Sequence, residues 1–150
     1  MPSWPRTAAE DGRTLQRLRE ELAQRATAPP PILASDRDAD AVEATRANAR
    51  AAGVALQIFA ADAREIRPLD RPGQLLLNIP YGERLGTGGR KQLKTFYHQL
   101  GASLRRLEGH RAAILSGNED FESAFGVRPS GPARVLWNGP LRCKLHRYDF

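Results

Sequence analysis

The chain has 150 residues, the size of one domain, and its 41% hydrophobic and 27% charged content is enough for one globular core. Its net charge of +6 rests on 20 arginines and three lysines, Lys91, Lys94 and Lys144. A lone cysteine, Cys143, excludes an intrachain disulfide and a cysteine-rich zinc site, and His98, His110 and His146 have no metal-ligand spacing.

No apolar run is long enough to span a membrane and the first residues lack a signal-peptide core, so a cytoplasmic protein is expected. Arginine presents a planar fork that suits phosphate, which fits an RNA partner. A GC-rich genome would enrich arginine as well, so charge alone is a weak pointer.

Residues 1–10 read as irregular, with Pro2 and Pro5 around Trp4. Asp11 looks like an N-cap, and Leu15, Leu18 and Leu22 at helical spacing predict a helix to about Ala26. Pro29-Pro30-Pro31 then acts as a stiff connector, which sets residues 1–31 apart from 32–150. Strand and helix alternate from there. Ile32–Ser35 is a short strand ending at Asp36, followed by a helix from about Asp38 to Ala52 that Gly53 stops. Ala55–Ala60 is a strand ending near Asp62, and Gln74–Leu77 an apolar strand ending at Asn78. A glycine-rich loop leads to the clearest helix, with Leu93, Phe96, Tyr97, Leu100, Leu104 and Leu107 on its apolar positions. Ala112–Leu115 is a strand, and Asn118 reads as the cap of a short helix to Phe125.

The period then changes to two. Val135–Trp137, a turn at Asn138-Gly139-Pro140, and Leu141, Cys143 and Leu145 alternating with Arg142, Lys144 and His146 predict a β-hairpin. Trp137 and Cys143 are expected inside it, and His146 on the opposite face. The whole pattern predicts an α/β, Rossmann-like sheet with an antiparallel C-terminal hairpin, in which ligands bind beyond the carboxyl ends of the strands. Asp36, Asp62 and Asn78 all fall at such ends.

Asn78-Ile79-Pro80-Tyr81 carries the most chemistry. An exocyclic amine on a nucleobase is a poor nucleophile because its lone pair is delocalised into the ring. The Asn78 oxygen and the Ile79 carbonyl can accept its two hydrogens and localise that pair. Pro80 fixes the turn and Tyr81 can stack on the base, which must be turned out of any helix to reach them. A plain strand-to-loop turn would use the same residue types. Asp36 can take both ribose hydroxyls or simply cap the next helix. Asp62 can accept from an adenine amino group or stand in a solvated turn. Arg84, Arg90, Lys91 and Lys94 can meet backbone phosphates or form a solvated face.

In order along the chain these segments resemble the class I S-adenosylmethionine-dependent RNA guanine 2-amino methyltransferases linked to THUMP domains, the large-subunit rRNA enzymes above all. Ala34-Ser35-Asp36-Arg37-Asp38 is similar to the segment whose first acid holds the cofactor ribose. Ala60-Ala61-Asp62-Ala63 is similar to the adenine-binding turn. Asn78 to Leu85 is similar to the catalytic Asn-Pro-Pro-Tyr-Gly-Glu-Arg-Leu, and Leu115–Asn118 and Trp137–Leu141 to later segments. The resemblance implies S-adenosyl-L-methionine as cofactor, RNA as partner, Asp36, Asp62, Ala63 and Asn78 at the cofactor, and Asn78 to Tyr81 as the catalytic turn.

Ile79 departs from the family's second-position proline, and Asn-Ile-Pro-Tyr also resembles rRNA adenine dimethyltransferases. An adenine amino methyltransferase therefore stands as an alternative, and a non-catalytic RNA-binding remnant as another. The larger departure is that no first strand and glycine-rich cofactor loop precede Ile32. That implies the C-terminal part of such a domain, inactive alone, either from a split, frameshifted or wrongly started gene or as half of a two-chain enzyme with a separate chain carrying the missing part.

Overall fold

A computed structural model of the chain describes residues 9–25, 30–68, 71–81 and 89–150. The predicted alternation is present. Helix α1 (Ala9–Arg25) is followed by β1 (Leu33–Asp36), α2 (Ala39–Ala52), β2 (Gln57–Ala60) and a 3-10 turn (Ala63–Glu65). Then come β3 (Gln74–Asn78), α3 (Gly89–Leu104), β4 (Arg111–Ser116), α4 (Phe121–Phe125), β5 (Arg134–Asn138) and β6 (Leu141–Asp149). Helix α1 begins before Asp11, which therefore stands inside the helix instead of capping it. Helix α2 has the expected ends: the Asp38 carboxylate accepts from the Asp40 N–H, and Gly53 closes the helix at φ +66°.

The strands form two separate sheets. β1 and β2 pair in parallel, Leu33 opposite Gln57. The other four run in the order β3-β4-β6-β5, with β3 parallel to β4 and the last two pairings antiparallel. No ladder joins β1 to β3. This is a Rossmann-like α/β fold with the antiparallel hairpin at one edge, and among the described residues no strand lies between β1 and β3.

The core belongs to the four-stranded sheet. Helix α3 lays Leu93, Tyr97, Leu100 and Leu104 against Ile114, Phe121 and Tyr148, all at most 3% exposed. Tyr97 meets Phe121 edge to face at 5.1 Å, and Phe121 lies 5.0 Å from Phe125. Gly101 lets α3 approach α4 this closely, since a Cβ there would stand 2.1 Å from the Phe125 carbonyl oxygen. The β1–β2 pair is thinly covered. Only Val42 and Ala49 of α2 are buried there, while Ile32, Leu33 and Phe59 stay exposed. Leu76, in the middle of β3, is 83% exposed, and Leu15, Leu18 and Leu22 of α1 are exposed too.

The hairpin departs from the expected pattern. Cys143 is buried as predicted, but Trp137 is 68% exposed and His146 is buried. β6 is an inner strand, so its even face packs His146 and Tyr148 on Phe121 and Phe125. β5 is the edge strand, exposed along its whole length, so Trp137 has nothing to pack inside. Among the described residues no helix is long and apolar enough to cross a membrane, and no cluster of His, Cys, Asp or Glu could hold a metal ion.

Candidate active site

The turn after β3 is held from three directions. Asn78 pairs with Leu115 at the end of the β3–β4 ladder, and Ile79, only 4% exposed, anchors the chain in the core. The Tyr97 hydroxyl donates to the Pro80 carbonyl at 2.7 Å. Burial pushes the Tyr97 phenol up to about 12, so it remains a donor at neutral pH. Asn118 Nδ2 donates to the Tyr81 carbonyl at 3.3 Å. Asn118 is itself fixed, since its N–H donates to Ser116 Oγ and its Oδ1 accepts from the Asp120 N–H. Its side chain thus braces the turn before α4, which starts at Phe121 with Asp120 in the cap position.

The Tyr81 ring packs over Gly117, where a Cβ would come within 3.3 Å of Tyr81 Cγ. The Tyr81 hydroxyl donates to Asn78 Oδ1 at 3.1 Å and accepts from Asn138 Nδ2, at the hairpin turn, at 3.4 Å. Among the described residues nothing donates to the Ile79 carbonyl. Asn78, Ile79, Pro80 and Tyr81 are therefore brought together as the sequence predicts. Of the residues that position them, Tyr97 was legible as a core residue, Asn138 as a turn residue and Gly117 only within a family-like segment, while Asn118 read as a helix cap, the place that Asp120 takes.

The two acids sit in different surroundings. Asp36 Oδ1 accepts from the Asp38 N–H at 2.9 Å in an Asx turn ahead of the Asp38 cap, and Oδ2 has no hydrogen bond among the described residues. Asp62 is held on both oxygens by Arg64, whose N–H and Nε donate to Oδ1 at 2.8 and 2.9 Å and whose Nη2 donates to Oδ2 at 2.6 Å. Those bonds hold the Asp62 carboxyl down at about 2. Ala63 opens the 3-10 turn that follows. Arg64 also reaches Gln99 at 2.8 Å and lies 5.5 Å over the Phe96 ring, and Ser103 Oγ donates to its carbonyl. This turn is what ties the β1–β2 unit to α3.

Of the basic candidates, Arg84 lies outside the described residues. Arg90 and Lys94 both pair with Asp120, at 2.7 and 3.3 Å. Lys91 makes no ion pair among the described residues and, with Arg64, Gln92, Thr95, Phe96 and Gln99, lines an open concavity of about 350 Å³.

Residues 3–147 match the family described as RMKL-like, methyltransferase domain. The chain belongs to this family. It is 37% identical over 123 residues to the ribosomal RNA large subunit methyltransferase K/L of Methylococcus capsulatus, covering 80% of this chain and 16% of that protein. To the K/L enzyme of Syntrophotalea carbinolica it is 34% identical over 143 residues, 88% of this chain and 20% of the relative. The chain thus spans a fifth or less of the length of these curated relatives. The crystal structure of SMU.472, complexed with SAH, superposes with a TM-score of 0.78 at 29% identity, over 97% of this chain and 38% of that one. That likeness covers both sheets, so the family fold accounts for the β1–β2 unit as well as the core.

Proposed function

We propose that this chain carries the methyl-acceptor half of an S-adenosyl-L-methionine-dependent RNA methyltransferase that acts on the guanine 2-amino group in ribosomal RNA. The observation that carries this reading is the clamped turn: Tyr97 and Asn118 fix the Pro80 and Tyr81 carbonyls, and nothing among the described residues donates to the Ile79 carbonyl. Asn78 Oδ1 and the Ile79 carbonyl would each accept one hydrogen of the amine, which leaves the nitrogen lone pair localised for attack. The amine would take the place of the Tyr81 hydroxyl on Asn78 Oδ1, and the freed Tyr81 ring would stack on the base. The names of the K/L relatives favour ribosomal RNA, and a cytoplasmic enzyme follows from such a substrate.

S-adenosyl-L-methionine, when bound, supplies an electrophilic methyl group. The residues present fit it in part. Asp36 keeps a carboxylate oxygen without a hydrogen bond among the described residues, as a ribose diol requires. Asp62 accepts three bonds from Arg64, and one lone pair of Oδ2 would remain for adenine, with Ala63 at the turn and Asn78 as further supports. The SMU.472 structure with SAH favours this cofactor. Residues 32–150 would form the catalytic part, with 1–31 as an accessory helical segment, and Arg84, Arg90, Lys91 and Lys94 would meet the RNA backbone. A phosphate there would compete with Asp120 for Arg90 and Lys94.

The missing cofactor loop and a strand between β1 and β3 would come from a further segment, on another chain or on the same polypeptide. The test combines this chain with the strand–loop–helix region of the Methylococcus capsulatus relative, ribosomal RNA and methyl-labelled cofactor. Labelled 2-methylguanosine, lost in Asp36→Ala, is the expected product, with little or none from the chain alone. Methylated adenosine would replace the guanine reading, and absence of any labelled nucleoside together with absence of SAH binding would leave only an RNA-binding remnant.

A further inference from the structure

The edge strand β5 carries the largest unburied side chain of the folded half. Trp137 is 68% exposed, on a strand whose five residues are all exposed. A tryptophan left in water forgoes the apolar burial that would stabilise it. Its surroundings are not those of an ordinary apolar patch. Directly opposite Trp137 on β6 is Arg142, also exposed, and the next pair along the same face is Val135 and Lys144. Opposed side chains in such a pair stand about 5 Å apart at Cβ, so an indole and a guanidinium are presented side by side. The only cation–π contact among the described residues is Arg64 with Phe96, so the Trp137 face is not already occupied by a cation. An exposed aromatic face flanked by two cations is complementary to a nucleobase and its phosphates. Strand alternation puts Trp137 on the sheet face opposite Asn138, whose side chain hydrogen-bonds the Tyr81 hydroxyl, so the patch lies across the hairpin edge from the turn.

We propose that the Trp137–Arg142 pair on the β5–β6 hairpin is a stacking subsite for an unpaired nucleotide of the RNA near the methylated one. Trp137 stacks on that base and Arg142, with Lys144 behind it, meets the adjoining phosphate. The subsite rests on the RNA reading above. It also adds a contact surface distinct from Arg90, Lys91 and Lys94, on the far side of Asn138 from Asn78.

The experiment is a fluorescence titration of the chain with a single-stranded uridylate decamer, with Trp4 left as the internal reference. Wild type is expected to bind with quenching. Trp137→Leu should lose the quenching and bind at least roughly fivefold more weakly. Arg142→Gln should lower the salt slope of binding by about one. Thermal melts of both variants control for folding, since both sites are exposed. Failure of wild type to bind, or unchanged affinity in Trp137→Leu, overturns the subsite. So does a protein dimer that Trp137→Leu dissociates, which would make this face a contact between copies. Methyl transfer by the complemented enzyme reports on the functional reading separately. If it is absent while Trp137-dependent binding persists, the methyltransferase reading falls and the subsite stands.

Discussion

The two sheets of this chain contain strands of similar kind held by different means. The four-stranded sheet is locked by α3 and α4 through Tyr97, Leu100, Phe121, Phe125 and Tyr148, all at most 1% exposed. The β1–β2 pair has Val42 and Ala49 above it and keeps Leu33 and Phe59 in solvent. The candidate site is divided along the same line. Asn78 to Tyr81, which would hold the methyl acceptor, stand on the packed half. Asp36, which would hold the ribose of the donor, stands on the open half, joined to the rest through the Arg64 turn. Packing and the proposed chemistry are thus unequal in the same direction: the proposed acceptor side is braced by the core, and the proposed donor side is thinly covered.

Asn78→Ala should break the function of the packed half alone. In the complemented enzyme it is expected to lower methyl transfer by about 100-fold or more while the melting temperature stays unchanged, because Asn78 is exposed and contributes little to the core. Gly101→Ala attacks the packing instead. The added methyl collides with the Phe125 carbonyl, so urea denaturation should show a loss of about 1–3 kcal/mol. Leu76→Lys sharpens the contrast. On the chain alone it should change stability by no more than about 0.5 kcal/mol, since the side chain is 83% exposed. It should nonetheless prevent complementation, because a strand laid beside β3 and its covering helix would meet a charge. Normal complementation by this variant would place the missing segment elsewhere.

The smallest effect is a pH dependence confined to the packed half. Burial lowers the His146 imidazole below its ordinary value, aided by Lys144 and opposed by Glu122. Nδ1 has no hydrogen bond, and the nearest acid, Glu122, is 3.7 Å away. The unfolded chain then binds the proton more readily than the folded one, so this contribution is complete above pH 6.5 and is lost as pH falls below it. Melts between pH 7.5 and 5 should fall for wild type, and fall less for His146→Phe.

Much of this was legible in the sequence, and the exceptions have physical causes. Asp38 and Gly53 marked the ends of α2 because capping is local chemistry. Asn78-Ile79-Pro80-Tyr81 marked the candidate site because the acceptors proposed for it lie on adjacent residues. Trp137 and His146 were misplaced because period-two patterning assumes a hairpin with one buried face. β6 instead became an inner strand and β5 an edge. Tyr97, Asn118 and Asn138 were missed as site residues because their partners lie 17, 37 and 57 residues away, and only the fold brings them together. Asp62 read as an adenine acceptor or a solvated turn residue because nothing in its spacing showed that Arg64 would bond both of its oxygens.

Native-state hydrogen exchange of the chain by itself, followed strand by strand, tests the division into a packed and a thinly covered half most directly. Amides of β4 and β6 are expected to open only with global unfolding, and those of β1 and β2 at far lower free energy. Protection of β1 and β2 equal to that of β4 and β6 would contradict the account, since the donor side would then be as complete as the acceptor side.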